Sequence, residues 1–449
     1  MSTIQNVYLE TLGCDKNTID SELMAGRILQ EDTMRVTTRL EKADVVIVNT
    51  CCFIHDAKQQ SIDAIFDLIY EKQKGTFQYL VVTGCLSEHY HEELQPLIPE
   101  IDGYLGPGQL DKIVDLLKAL PYKEIPSYTG CIHSEYPETI RRAVPEGSVT
   151  AYLKISEGCN RHCTYCIIPQ IRGKYRSRPM ESIFEEARYL ESKGVKELIL
   201  IAQDLSEYGR DLPEQKSLAN LLEVLARDYS FHWIRLLYMY PEGIDQKLLE
   251  TMAQYKNICA YLDMPIQHTE TEILRKMGRK ITKGRLCDTI ALIRQTLPDA
   301  VLRTTIITGF PGETKKDHQA LMSTLKKLAF DRLGVFTFSA EEGTPAAGMT
   351  DQVPPEVALL RQREIYEQQK EILETKHNEK IGAEVEIIIE EQVSSDQYVG
   401  RTRGDAPDID CLIYVKSTKP LKIGGFYTAM VLSFVEYDLI GEVKNESTE

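Results

Sequence analysis

Short apolar runs alternate with amphipathic stretches along the first 120 residues. The runs are apolar at successive positions, which is typical of parallel strands that are buried on both faces. The candidate strands are Val7–Thr11, Asp44–Asn49 and Tyr79–Thr83. Helical patterns such as Asp20–Gln30 and Ala57–Tyr70 lie between them. Residues 1–120 therefore predict an α/β domain built on a doubly wound parallel sheet.

A proline-containing segment, residues 121–144, interrupts this pattern, and we interpret it as a linker. Residues 150–345 then repeat a strand–helix unit about six times, within a predicted domain of residues 145–376. The candidate strands are Ala151–Ile155, Glu197–Ala202, Trp233–Leu237, Ala260–Met264, Val301–Ile307 and Gly334–Phe338. The candidate helices are Ile183–Lys193, Leu218–Asp228, Asp245–Tyr255, Gly284–Gln295 and Lys316–Ala329. About six consecutive βα units predict a partial (βα) barrel.

The pattern changes again near the C-terminus. A charged helical stretch from Glu356 to Lys380 begins after two prolines, and only strand and turn patterns follow it. The candidate strands are Val385–Ile389, Gln397–Thr402, Cys411–Val415, Phe426–Val435 and Leu439–Val443. Residues 377–445 therefore predict a small antiparallel β-barrel.

Charge and composition narrow the possible partners. The formal net charge is −16, so the chain is a poor general binder of nucleic acid and is expected to favour a basic partner. The apolar runs are too short to span a membrane, and the N-terminal residues lack the pattern of a signal peptide. We therefore expect a cytoplasmic protein. Eleven cysteines in a reducing compartment indicate metal or redox chemistry more than disulfides.

The densest cysteine pattern is Cys159-Asn-Arg-His-Cys163-Thr-Tyr-Cys166. It lies just after a predicted strand, and Gly158 allows the chain to turn sharply there. Three thiolates at this spacing can bind three corners of a cubane iron–sulfur cluster and leave one iron open to a small molecule. The alternative is a zinc site with His162 as the fourth ligand.

Three further cysteines are far apart in sequence, yet each follows a predicted strand. They are Cys14, Cys51 and Cys85. Because the carboxyl ends of parallel strands share one edge of a sheet, these thiols are expected to converge into a second three-cysteine site. Cys52 competes with Cys51 as the middle ligand, and three inert buried cysteines are the alternative interpretation. Cys131, Cys259, Cys287 and Cys411 lack partner spacing.

The Cys159–Cys166 motif resembles the radical S-adenosylmethionine superfamily. This resemblance implies a 4Fe–4S cluster whose open iron binds S-adenosylmethionine. It places Tyr165 near the adenine, and Arg303 opens a segment, Arg303–Glu313, similar to the family's glycine-rich strand end. Gln203 and Asp204 end a strand at the same face, where they can contact the cosubstrate or cap the next helix.

Two three-cysteine sites in this layout resemble the methylthiotransferases along essentially the whole chain. The resemblance implies an N-terminal methylthiotransferase domain (1–120), a radical core (145–376) and a C-terminal TRAM domain (377–445). It implies two 4Fe–4S clusters and two S-adenosylmethionine molecules. One molecule methylates a sulfur at the N-terminal cluster. The other, cleaved with an electron from a low-potential donor, yields the radical that removes hydrogen from the substrate.

The family has two plausible branches, one modifying an adenosine in transfer RNA and one modifying an aspartate β-carbon in the twelfth small-subunit ribosomal protein. The motifs Leu12–Asn17, Asn49–Ile54 and Asp263–His268 look like the protein branch. Residues 377–449 carry seven Lys or Arg and fourteen Asp or Glu, a net charge of −7. An acidic barrel suits a basic ribosomal protein better than RNA. A transfer-RNA enzyme and a non-catalytic assembly factor remain the alternatives.

A basic run follows the cysteine motif and contains Arg172, Lys174, Arg176 and Arg178. These side chains can hold carboxylates of the cosubstrate or of the substrate aspartate. They can equally form a solvated loop.

Overall fold

The computed structural model describes residues 4–122, 125–134, 136–138, 141–213 and 216–445. Its N-terminal part is a six-stranded, all-parallel sheet in the order β2-β1-β3-β4-β5-β6. The strands are β1 (Asn6–Thr11), β2 (Arg35–Thr37), β3 (Val45–Thr50), β4 (Tyr79–Gly84), β5 (Gly103–Leu105) and β6 (Ser127–Tyr128). The helices are α1 (Asp15–Leu29), α2 (His55–Gln73), α3 (Cys85–Leu97) and α4 (Ile113–Ala119).

The alternation of side chains along β3 shows why this sheet is covered on both faces. Val45 and Ile47 pack on one side with apolar residues of α1 and α4. Val46 and Val48 pack on the other side with apolar residues of α2 and α3. The predicted doubly wound sheet is confirmed, and all six residues of β3 are buried.

The segment predicted as a linker contributes to this sheet. Ser127–Tyr128 pair in parallel with β5 and add the sixth strand. A strand of two residues has too little apolar pattern for the sequence to reveal it. Lys123, Glu124, Glu135, Thr139 and Ile140 of the same segment lie outside the described residues.

The central part is a second parallel sheet with strands in sequential order, which confirms the predicted partial barrel of six units. Its strands are β7 (Thr150–Lys154), β10 (Glu197–Ile201), β11 (Trp233–Leu236), β12 (Ile258–Asp263), β13 (Val301–Thr308) and β14 (Arg332–Thr337). A separate antiparallel pair, β8 (Ser156–Glu157) and β9 (Arg176–Ser177), flanks the cysteine loop. The helices are α5 (Ile168–Ile171), α6 (Met180–Ser192), α7 (Leu218–Asp228), α8 (Gln246–Gln254), α9 (Thr271–Lys276), α10 (Lys283–Thr296), α11 (Lys315–Leu328) and α12 (Pro355–Lys380).

The C-terminal part is a closed five-stranded barrel in the order β15-β16-β17-β19-β18. Its strands are β15 (Glu384–Gln392), β16 (Gln397–Thr402), β17 (Ile413–Lys416), β18 (Phe426–Val435) and β19 (Asp438–Asn445). Four neighbouring pairs are antiparallel, whereas β17 and β19 are parallel. A ring with an odd number of strands cannot alternate direction at every step, so at least one pair must be parallel.

Buried ion pairs dock the outer parts onto the central sheet. On the N-terminal side, Asp20 contacts Lys154 and Arg172, each at 2.7 Å. On the C-terminal side, Glu197 contacts Arg401 at 2.6 Å and Arg235 at 2.9 Å. The central sheet is therefore held between the two outer parts by charges that are themselves shielded from water. Within the described residues, no helix combines the length and the apolar character that a membrane crossing requires.

Candidate active site

The cysteine loop of the central domain begins where β8 ends. Gly158 has φ +80°, and a Cβ at this position would collide with the carbonyl oxygen of Lys174. The Cys159 amide donates to the Gly173 carbonyl at 3.1 Å, which closes the base of the loop. Only glycine fits this turn without strain, so the backbone itself fixes where the first thiol points.

The thiols of Cys159, Cys163 and Cys166 are close enough to influence one another electrostatically. Burial raises the pKa of Cys159 to about 11 and also raises that of Cys166, to which the neighbouring thiols add. The hydroxyl of Tyr240 lies 3.5 Å from the sulfur of Cys163. A bound cation would favour the thiolate forms and reverse these shifts, because it supplies the charge that the buried loop lacks.

Sequence reasoning missed two residues that cover this loop, Arg279 and Tyr240. The Arg279 guanidinium lies 4.0 Å from the centre of the Tyr240 ring. Gly278 packs so closely on the carbonyl of His162 that a Cβ could not fit. The Met277-Gly278-Arg279 turn therefore braces the cysteine loop from the α9 side. The small residue at a helix end was the sequence signal that could have indicated it.

The three residues expected to contact the cosubstrate have different surroundings. The Tyr165 ring meets Phe310 of the glycine-rich segment edge to face, with centroids 6.5 Å apart. The Gln203 amide nitrogen donates to Glu157 at 2.6 Å, while its buried oxygen accepts no hydrogen bond from the described residues. Arg303 is ion-paired with Asp263 at 3.0 Å and with Asp410 at 3.3 Å, so its charge is already balanced.

The strand end after β13 is held by Glu313. Its carboxylate accepts a hydrogen bond from the Gly309 amide at 2.5 Å and pairs with Arg361 at 3.1 Å. His268 lies 3.9 Å from the same carboxylate, and its Nδ1 accepts from the Glu270 amide. These contacts fix the conformation of the glycine-rich segment. Asp204 caps the short turn Leu205–Glu207, which agrees with the capping interpretation of that residue.

The N-terminal sheet brings the dispersed cysteines to one edge. Cys14 precedes α1, Cys51 follows β3, and Cys85 is the first residue of α3 after β4. The strand order reverses between β1 and β3, and a doubly wound sheet binds its ligands outside the strand ends at such a point. Gly13, at φ +91°, approaches so closely that a Cβ would stand 3.3 Å from the Cys51 sulfur.

Electrostatic neighbours distinguish Cys51 from Cys52. Burial, joined by the Cys51 and Cys14 thiols and opposed by Arg172, raises the pKa of Cys85 to about 12. Burial also raises the pKa of Cys51, which senses Cys14 as well. Cys52 is influenced by Cys85 and Cys51 and, like Cys85, packs in the apolar cluster behind the sheet. Cys51 differs from Cys52 in having Cys14 among its electrostatic neighbours, which favours it as the middle residue of the trio.

The donor chemistry of both trios fits an iron–sulfur cluster. All six cysteines are free thiols. Among the described residues, no three His, Cys, Asp or Glu side chains surround one point closely enough to bind a single metal ion. A cubane is held differently, since each thiolate binds a separate iron at a separate corner. The spacing thus suits a cluster better than the zinc alternative with His162.

Arg172 follows the first trio in the chain and contacts a member of the second. Its guanidinium lies 3.5 Å from the Cys85 sulfur, 3.0 Å from the Asn17 side-chain oxygen and 2.7 Å from Asp20. It is 3% exposed, and it caps the C-terminal end of α5, six residues after Cys166. Arg178 is likewise buried in pairs with Glu138 and Glu186. These two members of the basic run are structural cations, neither a solvated loop nor free carboxylate binders.

Comparison with known proteins agrees with this arrangement. The family model of the Radical SAM superfamily matches residues 153–325, that of Uncharacterized protein family UPF0004 matches residues 6–106, and that of the TRAM domain matches residues 381–443. A radical S-adenosylmethionine methyltransferase from Kitasatospora setae, TsrM, shares the fold. The TM-score is 0.56 at 16% identity, over 76% of this chain and 77% of that one.

Full-length relatives are considerably more similar. The ribosomal protein uS12 methylthiotransferase RimO of Clostridioides difficile is 46% identical over 440 residues, 98% of this chain and 99% of the relative. Its namesake from Lachnoclostridium phytofermentans is 43% identical over 437 residues, 97% of this chain and 99% of the relative. At this identity and coverage, the chain belongs to the methylthiotransferase family of radical S-adenosylmethionine enzymes whose relatives are named for ribosomal protein uS12.

Proposed function

We propose that this protein adds a methylthio group to the β-carbon of an aspartate in ribosomal protein uS12. The observation that carries the proposal is a contact between the segments that bear the two cysteine trios. Arg172, six residues after Cys166 in the chain, lies 3.5 Å from the Cys85 sulfur of the other trio. The relatives that match along the whole chain are named as methylthiotransferases of ribosomal protein uS12.

The proposed ligands follow from the geometry. Cys159, Cys163 and Cys166 would hold the cluster that binds S-adenosylmethionine. The auxiliary cluster would be held by a second set of ligands, Cys14, Cys51 and Cys85. When bound, these groups supply a radical able to remove hydrogen from an unactivated carbon and a sulfur that can carry a methyl group. The protein must supply alignment and exclusion of water, and the burial of most of these thiols serves both needs.

Residues around the first trio would position the cosubstrate. The free oxygen of Gln203 can accept a hydrogen bond from an amine. Tyr165, packed on Phe310, offers an apolar face for an aromatic base. Arg303 lies on the same strand as the glycine-rich segment. Because its charge is balanced by Asp263 and Asp410, we propose that it orients this wall more than it binds the cosubstrate's charge.

We propose a division into residues 1–120, a segment 121–144 that connects the parts and also adds β6 to the first sheet, the core 145–376 and the barrel 377–445. The acidic barrel supports a basic protein as substrate and disfavours transfer RNA. We propose that the reaction takes place in the cytoplasm, where a ribosomal protein is made. A low-potential protein donor would supply the electron for cleavage of the cosubstrate.

Mass spectrometry of reaction products tests the proposal. Anaerobically reconstituted protein is incubated with S-adenosylmethionine, a reductant and either purified uS12 or transfer RNA. We expect uS12 alone to gain one methylthio group in place of a hydrogen. Cys163→Ala should abolish the gain, whereas Cys287→Ala, which alters a thiol outside both trios, should not. Modification of RNA only would support the transfer-RNA alternative, and no cleavage of S-adenosylmethionine would support the assembly-factor alternative.

A further inference from the structure

Lys16 occupies a position where a lysine is unfavourable on two physical grounds. It lies in the first turn of α1, where the positive end of the helix dipole repels a cation. Its side chain is also largely buried, with 7% of the residue exposed. Burial of a charge without a partner destabilises a protein. A charged lysine at this position therefore needs an interaction that compensates for the cost of its burial.

The surroundings of Lys16 supply only part of that compensation. Its ammonium lies 2.9 Å from the centre of the Tyr238 ring, a cation–π contact. In the part of the chain that the structure describes, it forms no ion pair. Two carboxylates act on it from a distance: Asp15, which also accepts from the Tyr238 hydroxyl at 3.2 Å, and Asp263, which pairs with Arg303 at 3.0 Å. The ammonium therefore keeps its capacity to bind an anion.

Lys16 and its aromatic partner are each close in sequence to a residue of one cysteine site. Lys16 is two residues after Cys14, the one exposed thiol of the N-terminal trio. Its aromatic partner Tyr238 is two residues before Tyr240, whose hydroxyl lies 3.5 Å from the Cys163 sulfur. Tyr238 has φ +65°, a left-handed conformation that is strained for a tyrosine. Backbone strain of this kind is concentrated at functional sites.

We propose that Lys16 binds the side-chain carboxylate of the substrate aspartate. This inference rests on the proposed function, because it concerns the substrate of that same reaction. In aspartate the reacting β-carbon is bonded directly to the carboxylate carbon. A cation that fixes the carboxylate therefore also fixes the carbon that must meet the radical and then the sulfur. A charged hydrogen bond of this kind also excludes the neutral asparagine.

The test compares two uS12 peptides that differ only in aspartate or asparagine at the target position. Binding to reconstituted protein is measured by fluorescence anisotropy, and methylthio transfer is measured by mass spectrometry. We expect the wild-type protein to prefer the aspartate peptide by at least about tenfold. Lys16→Met keeps an unbranched side chain over Tyr238 but removes the charge. It should bind the two peptides with affinities within about twofold of each other and lose transfer to aspartate.

Controls separate this role from a structural one. Lys16→Arg keeps the charge and should keep the preference for aspartate. Lys193→Met, at an exposed lysine on another aromatic ring, should behave as the wild type. Iron content and cleavage of S-adenosylmethionine without peptide should be unchanged in Lys16→Met. An unaltered aspartate preference in Lys16→Met would overturn the inference, as would loss of iron in that variant together with loss of preference in Lys16→Arg. If the wild-type protein modifies neither peptide nor intact uS12, the proposed function itself fails.

Discussion

The two cysteine trios are built in opposite ways. One lies within the eight residues from Cys159 to Cys166, on a single loop. The other is gathered from the ends of three strands, so Cys14, Cys51 and Cys85 meet only when the whole N-terminal sheet is formed. The first site depends on local turns such as the one at Gly158. The second depends on strand order and register.

This difference teaches why one site was evident in the sequence and the other required a topological argument. A compact motif can be recognised directly from the spacing of its cysteines in the sequence. A dispersed site must be inferred from the rule that parallel strands end at one edge. The dispersed trio is also the one whose geometry should respond to changes far from its thiols. The following variants are chosen to break or sharpen this contrast, beginning with the largest expected effect.

Loss of one thiol from the compact trio should abolish radical formation. In Cys163→Ala we expect no 5′-deoxyadenosine above background, because two thiolates cannot hold the cluster that binds the cosubstrate. The measurement is chromatography of the products after anaerobic reduction. Cys287→Ala is the matched control and should cleave like the wild type. Normal cleavage by Cys163→Ala would contradict the ligand assignment.

A pair of adjacent cysteines tests the dispersed trio. Cys51→Ala should eliminate methylthio transfer yet leave cleavage of S-adenosylmethionine, since only the auxiliary site loses a ligand. Cys52→Ala should retain transfer and lose about 1 kcal/mol of stability, because Cys52 packs in an apolar cluster. The comparison requires product analysis by mass spectrometry and a thermal unfolding curve. The reverse result would assign the ligand to Cys52.

Removal of one partner from the buried pairs that dock the barrel should destabilise the protein strongly, because it leaves uncompensated buried charges. Glu197→Gln leaves Arg235 and Arg401 without their shared carboxylate and should destabilise the protein by about 3–5 kcal/mol. Glu223→Gln, in an exposed pair, should change stability by less than about 0.5 kcal/mol. Denaturant unfolding measures both. Equal effects would show that docking does not depend on this network.

The ion pairs of Glu197 with Arg235 and Arg401 predict how the stability of the protein changes with pH. Burial alone would raise the pKa of Glu197, but Arg235 and Arg401 outweigh it and hold the pKa below its ordinary value of 4.5. A depressed folded pKa stabilises the protein above that value, and the contribution is lost as the pH falls below it. Wild-type stability should therefore drop on acidification more steeply than that of Glu197→Gln. Parallel acid-unfolding curves would contradict this assignment.

A glycine pair gives the smallest expected effect. Gly84 has φ +93°, and a Cβ there would collide with Asn49 and Thr50. Gly75 has φ +80° but open space around it. Gly75→Ala should lose about 1 kcal/mol through backbone strain, whereas Gly84→Ala should lose about 2–3 kcal/mol and reduce iron loading at the dispersed trio. Equal losses would mean that the close approach beside Cys85 is unimportant.

The order of elements could be read from the sequence because long apolar runs dominate β1, β3, β4 and the central strands. The short strands β2, β5 and β6 were missed, since two or three residues carry no periodic signal. The roles of Lys16 and Arg172 were also hidden. Each depends on a contact with a segment distant in sequence, namely Tyr238 for Lys16 and Cys85 for Arg172. Spacing along a chain does not encode such contacts.

The most direct test counts iron and acid-labile sulfide in the anaerobic protein and in two triple variants. Wild-type protein should hold about eight of each, and replacement of either trio by alanine should leave about four. Neither variant should transfer a methylthio group, and only the variant that keeps Cys159, Cys163 and Cys166 should cleave S-adenosylmethionine. About four irons in the wild type, all lost with a single trio, would contradict a two-cluster enzyme.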